Sequence, residues 1–174
     1  MNRVATETLI RIRRYDPNDV DAVYEAVMES KAELSFWMPW CHHAYSRKDA
    51  AAWVESRPNA WETNQEWSFV VVNAEGKLLG TCGIHRIDRL NGVGELGYWV
   101  RTSETSNGVA TSAATLLSQW AFQEMGLHRI EIVASVENKA SLRVAEGSVR
   151  FGKVSYTNEF YCMAGGTIAS CGRY

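Results

Sequence analysis

The sequence predicts a mixed α/β protein in one domain, and three observations carry that reading. In the middle of the chain, "EWSFVVVNAEGKLLGTCGIHRID" reads as two β-rich runs joined by a turn at Gly76, and "RLNGVGELGYWV" repeats the device at Asn91–Gly92. Directly after comes an amphipathic helix, "GVATSAATLLSQWAFQEMG", with Ala110, Ala113, Leu117, Trp120 and Ala121 on one face and Gly126 as its stop. A further strand, "LHRIEIVASV", follows that helix, so meandering strands give way to crossover helices.

The other elements fit around these. "ETLIRIRRY" alternates Leu9, Arg11 and Arg13 against Ile10, Ile12 and Arg14, a first strand with one face partly buried. "DPNDVDAVYEAVMES" places Val20, Val23, Ala26 and Val27 at helical spacing behind Pro17 and Asn18. "SRKDAAAWVESRP" starts a second helix, with Ser46 as N-cap and Asp49 three residues on. Between these helices "LSFWMPWCHHAY" reads as a loop dense in large side chains, and "ENKASLRVAEG" starts a short helix near Asn138. The expected order is strand, two helices, three strands, helix, strand, helix and a tail, over a single domain of residues 1–174.

Composition narrows the function. A net charge of −2 argues against a general nucleic-acid-binding surface, and "RIRR" reads as one face of a strand. No run approaches the roughly 20 apolar residues of a membrane span, and the start lacks the apolar segment of a signal peptide. The four cysteines, Cys41, Cys82, Cys162 and Cys171, show no paired spacing, so reduced thiols and a cytoplasmic location are expected. "CHH" at Cys41–His43 is a poor metal site, because three adjacent residues on an extended chain cannot all point at one ion and no second ligand pair follows.

The stretch with chemical content is "GYWVRTSETSNGVATSA", where an aromatic strand is followed by a loop of small hydroxyl residues, then a glycine, then a helix. Such a loop holds an anion on backbone N–H groups, or is an ordinary turn. A dinucleotide fold would need its glycine fingerprint straight after the first strand, where this chain has "RRYDPNDVDA"; the Walker pattern is absent too.

The segment "GELGYWVRTSETSNGVATSAATLLSQWAFQEMGLHRIEIVASVENKASLRVAE" resembles the central motifs of the GNAT superfamily of N-acetyltransferases, in particular the RimJ/RimL type that acetylates ribosomal-protein N-termini. The "FWMPW" loop and "LLGTCGI" are in keeping with it, and the likeness runs from about residue 8 to residue 146. It implies the GNAT acyl-CoA N-acyltransferase fold: a central, mostly antiparallel twisted sheet, splayed between its fourth and fifth strands and flanked by helices. Acetyl-CoA is then the co-substrate, lying in the gap. In that family the loop after the fourth strand carries glutamine or arginine, two residues of any kind, glycine, any residue, then glycine or alanine. Here Gly108 and Ala110 match, while Thr105 stands in the first position, a departure that weakens the hold on a diphosphate.

The resemblance assigns the diphosphate to Ser106, Asn107, Gly108, Val109, Ala110 and Thr111, and the pantetheine arm to the backbone of Tyr98, Trp99 and Val100. It makes Asn138 a coenzyme contact and Ser141 a proton donor to the leaving thiolate; helix capping and helix-start preference account for the same two residues equally well. Of the carboxylates on the central strands, Glu95 is the expected base, acting through water, and Glu131 reads as an ordinary ion-paired strand residue. The acceptor side is expected at the loop holding Trp37, Trp40 and His42, which reads either as a groove wall or as a packed aromatic corner, with His42 or His43 able to relay a proton. The implied acceptor is a primary amine, by the branch resemblance a protein or peptide α-amine; a small-molecule amine, and an acyl-CoA-binding domain with impaired catalysis, are the alternatives.

After Glu146 the likeness stops. Residues 147–174, "GSVRFGKVSYTNEFYCMAGGTIASCGRY", lack the glycine-aromatic turn and final hairpin of the relatives. By codon possibilities alone, "NEFYCMAG" read one frame over gives two leucines, then histidine or tyrosine, then glycine, which resembles that hairpin turn; a divergent terminus is the alternative. The expectation is an irregular tail, with a twisted pair through Val149, Phe151, Val154, Tyr156 and Phe160 turning at Gly152–Lys153. The edge of the fifth strand would be imperfectly covered, or covered by a partner chain in a homodimer. Any carboxylate the branch draws from that hairpin would be missing, and activity would be weak beside intact relatives.

Overall fold

A computed structural model describes residues 9–148 with their side chains, and beyond them the backbone of the strands Lys153–Thr157, Phe160–Ala164 and Thr167–Cys171. Strand β1 (Ile10–Arg14) leads through a 3-10 turn at Pro17–Asp19 into α1 (Val20–Glu29), α2 (Lys31–Trp37) and α3 (Arg47–Glu62). A meander follows: β2 (Trp67–Asn73), β3 (Leu78–Asp88) and β4 (Val93–Val100). Helix α4 (Val109–Glu124) crosses to β5 (Arg129–Val133), and α5 (Lys139–Ser148) precedes β6 (Lys153–Thr157), β7 (Phe160–Ala164) and β8 (Thr167–Cys171).

The main sheet has the order β1-β2-β3-β4-β5-β6, and β7 and β8 form a separate antiparallel pair. Strands β1 to β4 pair antiparallel, β2–β3 and β3–β4 through short turns and β1–β2 across the three N-terminal helices. Strands β4 and β5 pair parallel, as the α4 crossover requires. Alternation along the strands sends side chains to two cores. Ile84, Leu96 and Ile130 on one face pack with Val109, Ala113 and Leu117 of α4. Val70, Val72 and Leu78 meet Val23, Val27 and Val54 of the N-terminal helices on the other.

The structure corrects the sequence reading of two helices. The loop expected from Leu34 begins later, because Lys31–Trp37 forms α2 around the buried Leu34. Helix α3, whose start at Ser46 is as expected, runs through Pro58 to Glu62. A helix-interior proline leaves one carbonyl without its donor and costs about 3 kcal/mol; burial of Ala50, Val54, Arg57 and Ala60 along one face of α3 opposes that cost. On α4 the buried face is Val109, Ala113, Ala114, Leu117, Ser118 and Ala121, with Trp120 only partly buried.

The tail also differs. Lys153 opens β6 instead of forming a turn, and β6 pairs in parallel with all of β5, from Arg129↔Lys153 to Val133↔Thr157. The β5 edge is therefore covered within the chain. Strands β7 and β8 pair antiparallel, where an irregular segment was expected from residue 162 on. Val149, Phe151 and Gly152 lie outside the described residues, as do the side chains on which the reading-frame and missing-carboxylate expectations turn.

Asp19 shows how local chemistry fixes the first connection. Its carboxylate accepts from both Nη atoms of Arg13 at 2.7 Å and from the Asp16 backbone N–H at 2.7 Å, closing a capping box at the turn. Burial works to raise the Asp19 carboxyl, but the Arg13 and Asp16 hydrogen bonds hold it below its ordinary value of 3.8. A carboxyl depressed on folding stabilises the fold above its ordinary value and loses that contribution as pH falls through the folded one. Asp19→Asn should therefore lower the melting temperature by a few degrees at pH 7, corresponding to about 1 kcal/mol. The gap to wild type should narrow below pH 4, as calorimetric melting over pH 3–7 would show; a constant gap would count against the ion pair.

Candidate active site

The site is organised by a fork in the sheet. β4 and β5 are paired at only three positions, Val93↔Arg129, Gly94↔Ile130 and Glu95↔Glu131. Beyond Glu95, β4 continues against β3 alone as far as Gly80↔Val100, while β5 stays with β6. The Arg101 N–H donates to the Leu79 carbonyl at 2.7 Å, toward β3. By alternation the backbone groups of Trp99 and Gly97 also face β3, and those of Leu96, Tyr98 and Val100 face the open side of the fork. An extended ligand with amide groups can pair there as a missing strand would. Of the three residues expected to line the pantetheine, Tyr98 and Val100 thus present backbone to the gap, and Trp99 contributes a side chain on the opposite face from Tyr98.

The loop after β4 leads into the N-terminus of α4, which has no side-chain cap and no acidic residue in its first turn. The first intrahelical bond is donated by Ser112 to the Gly108 carbonyl at 2.9 Å, so the N–H groups of Val109, Ala110 and Thr111 have no acceptor within the helix. Ser106 (φ 63°) and Gly108 (φ 78°) both sit in the left-handed region on either side of Asn107. Left-handed residues alternating this way turn successive N–H groups into one concavity. A Cβ built on Gly108 would meet nothing within 4 Å, so the space over the helix start is open. An uncapped 16-residue helix, a backbone concavity and free space suit a diphosphate, with the helix dipole favouring its charge.

Across the fork, Asn138 Oδ1 accepts from the Ser141 N–H at 3.0 Å, so Asn138 caps α5. Tyr98 spans the gap and donates its hydroxyl to the Ser141 carbonyl at 3.2 Å, which sets the distance between β4 and α5 at this level. Burial pushes the Tyr98 phenol up, keeping it a neutral donor. Ser141 is half-buried at this junction.

Glu95 stands at the last rung before the fork opens. Its Oε1 is 3.0 Å from His85 Nε2, and its Oε2 accepts from Arg86 Nη1 at 3.1 Å. Burial works to raise the Glu95 carboxyl, yet the His85 hydrogen bond and the charges of His85 and Arg86 hold it below the ordinary carboxylate range. It is therefore ionised at neutral pH. Glu131, its neighbour on β5, is ion-paired with Arg129 at 2.9 Å.

The aromatic wall is only partly assembled. Trp40 is 6.1 Å from Trp99 and 6.0 Å from Tyr45, between ring centroids, which brings the loop against the β4 face that also carries Glu95 and Gly97. His42 lies 6.2 Å from the Tyr45 ring and 3.8 Å from Asp49. Trp37 is on α2 and packs edge-on against Phe36 at 4.5 Å; among the described residues no ring contact ties it to Trp40 or Trp99. Cys41 is buried while His42 and His43 are exposed, so the three diverge.

Two residues escaped the sequence reading. His85 lies directly opposite Glu95, a contact visible only once strand register is known. Arg101, just past β4, is 4% exposed and pairs with Glu29 at 2.7 Å and Glu25 at 3.3 Å, while Glu29 Oε1 accepts from the Ser103 N–H and the Ser30 hydroxyl from the Thr102 N–H. Its partners are over seventy residues away in sequence.

A mixed sheet that forks beside an uncapped, glycine-led helix is the framework of a transferase that draws an acyl group from a coenzyme A thioester. Residues 10–148 match the acetyltransferase (GNAT) domain family, and the chain belongs to it. It is an N-acetyltransferase, and acetyl-CoA is its co-substrate. Similar proteins include YdaF of Bacillus subtilis (strain 168), 28% identical over 141 residues, with 79% of this chain and 75% of YdaF covered. The ribosomal-protein-serine acetyltransferase of Escherichia coli (strain K12) is 27% identical over 128 residues, with 74% of this chain and 71% of that protein covered. A structure of RimL, a ribosomal L7/L12 α-N-protein acetyltransferase in complex with coenzyme A, superposes with a TM-score of 0.73 at 21% identity, over 82% of this chain and 80% of that one. Among the described residues no helix is long and apolar enough to cross a membrane.

The cradle is testable by one substitution. Gly108→Asp puts a Cβ and a carboxylate at a left-handed position over the helix start, so acetyl-CoA affinity should fall tenfold or more, on the order of 1.4 kcal/mol. Titration calorimetry on a variant with unchanged circular dichroism measures it; unchanged affinity would mean that the loop is only a turn.

Proposed function

We propose that the chain acetylates the α-amine of a protein or peptide N-terminus, by direct attack on acetyl-CoA in a ternary complex. The observation that carries the reading is the position of Glu95: an ionised carboxylate at the last β4–β5 rung, where the backbone of Tyr98 and Val100 is free to hold the thioester arm. An ammonium is not a nucleophile, so basic charge is needed where the acyl group is presented. The diphosphate lies on Ser106, Asn107, Gly108, Val109, Ala110 and Thr111, and a β4 backbone N–H polarises the carbonyl as it gains charge.

Ser141, beside the far wall of the fork, gives a proton to the leaving thiolate. Asn138 acts by capping the helix that carries it. Trp40, packed on Trp99, borders the acceptor channel, with His42 at its outer edge. A protein acceptor is supported by the E. coli relative, a ribosomal-protein-serine acetyltransferase, and an α-amine by RimL, an α-N-protein acetyltransferase; the exposed Trp40 offers an extended chain an apolar surface to lie on. An acceptor of that kind places the reaction in the cytoplasm.

Thiol release from acetyl-CoA, followed with a panel of acceptors, tests the reading. Short peptides with a free N-terminus should be turned over; the same peptides blocked at the N-terminus but carrying lysine should not, nor should polyamines or aminoglycosides. Turnover confined to the small amines would replace the acceptor class, and coenzyme binding with no turnover would indicate a binding domain. Ser141→Ala should lower kcat about tenfold or more while acetyl-CoA affinity stays within about twofold, because the hydroxyl acts on the departing thiolate.

A further inference from the structure

We propose that His85 is the group that takes the proton from the acceptor amine, with Glu95 as the positioning residue behind it. The inference rests on the N-acetyl transfer reading of the β4–β5 fork and assigns the step within it.

Both oxygens of Glu95 are already engaged, Oε1 with His85 Nε2 at 3.0 Å and Oε2 with Arg86 Nη1 at 3.1 Å. Its side chain is 18% exposed, against 33% for His85. Those two bonds lower the basicity of the carboxylate, so it is a poor direct acceptor of a proton from an ammonium. An ionised Glu95 holds the proton on Nε2, which leaves the lone pair on Nδ1, and among the described residues Nδ1 has no hydrogen-bond partner.

The ring is also located by the backbone beneath it. His85 is the cross-strand partner of Glu95, and Gly83 of Gly97. A Cβ on Gly97 would fall 2.8 Å from His85 Cε1, so the imidazole rests on the bare Cα of Gly97. Gly97 lies between Glu95 and Trp99 on one face of β4, which places the ring on the strip that leads from the carboxylate to the Trp40–Trp99 contact. The acceptor channel and the open nitrogen thus share a face, and the thioester arm enters from the edge of the same strand.

The step balances without a further reactant. Nδ1 takes one proton from the ammonium, and the freed nitrogen lone pair forms the C–N bond to the thioester carbon. As the C–S bond breaks, the thiolate takes a second proton from the nitrogen of the addition complex, by way of the Ser141 hydroxyl. The imidazolium returns the first proton to solvent, so amide, thiol and one proton result.

The charged groups on this face are Arg86 on β3, Glu95 on β4, the Arg129–Glu131 pair on β5, and the Arg57–Glu66 pair around Ser68 on the far side of Gly83. Glu131 and Glu66 each have a cation partner, so Glu95 is the carboxylate in contact with the imidazole.

The experiment is the pH dependence of kcat/KM for a free-N-terminus peptide in wild type, His85→Gln and Glu95→Gln, with acetyl-CoA affinity and melting temperature measured on each. His85→Gln should lose about a hundredfold at pH 7. It should recover about one log unit per pH unit above that, as free amine replaces ammonium, with coenzyme affinity unchanged. Glu95→Gln should lose about tenfold or less and keep the acidic limb. The opposite pattern, a limb abolished in Glu95→Gln and kept in His85→Gln, would overturn the proposal and leave the acetyltransfer reading standing. If no amine is turned over, that reading fails instead. The dyad is then decided by ¹⁵N NMR of the free enzyme at pH 8, where a proton on Nε2 supports it and a proton on Nδ1 overturns it.

Discussion

Everything in the site depends on a ladder that stops. Backbone N–H and C=O groups buried in a sheet must be paired, and separating two strands leaves a row of them unsatisfied. Here β5 leaves β4 after Glu131, while β4 runs on for five more residues held by β3 alone. Leu96 anchors this extension by burying its side chain at 2% exposure, and Tyr98 props the gap against α5. The unpaired edge is then a template for anything with amide groups in an extended chain, which pantetheine has. The same divergence sends β5 into parallel pairing with β6, so the sheet continues on the other side of the fork.

The coenzyme side and the acceptor side are not independent. Thr102 and Ser103, at the start of the loop that ends in the Gly108 cradle, are held by Ser30, Glu29 and Glu33, and Arg101 is clamped between Glu25 and Glu29. Those residues belong to α1 and α2, whose C-terminal end runs straight into the Met38–Tyr45 segment with Trp40. A buried guanidinium is costly unless its partners stay in place, and removing one leaves a charge without compensation. Arg101 therefore fixes the loop to the helices that carry the aromatic wall. The ring contact between Trp40 and Trp99 closes the circuit back to β4.

Much of this was legible in the sequence because it is local. Period-2 and period-3.6 patterns, Gly76, Asn91–Gly92 and Gly126 each act within a few residues, and they set the meander, α4 and the strand after it. The glycine-led helix start was legible for the same reason. Helix α2 was hidden because "LSFWMPW" is as compatible with an aromatic loop as with a short helix, and contact of Leu34 with the N-terminal helices decides it. Asn138 left two roles open, and the cap on α5 is the one its observed hydrogen bond fills. The His85–Glu95 pair and the Arg101 clamp needed register and long-range packing, which no spacing along the chain encodes. The tail was misjudged because small residues were taken as an argument against strands, whereas a parallel edge on β5 is the nearest available partner for any extended segment that follows α5.

In a loop without the expected basic or amide residue, a diphosphate would be met by backbone groups. From Thr102 to Thr111 the only charge is Glu104, and it is neutralised by Lys77 at 2.7 Å; Arg101 is turned into the body of the protein by Glu25 and Glu29. No cation of this loop faces the helix start. What the loop offers instead is the N-terminus of α4, with three N–H groups lacking intrahelical acceptors, and the left-handed turns at Ser106 and Gly108. Fixed dipoles of this kind act only at contact distance, whereas a side-chain cation also attracts from afar. Thr105, whose hydroxyl bonds the Thr102 carbonyl at 2.8 Å, stiffens the turn at the position where the family pattern expects glutamine or arginine. On the proposed placement of the coenzyme, its hold would rest on loop geometry, and the Arg101 clamp would act on acetyl-CoA through the shape of that loop.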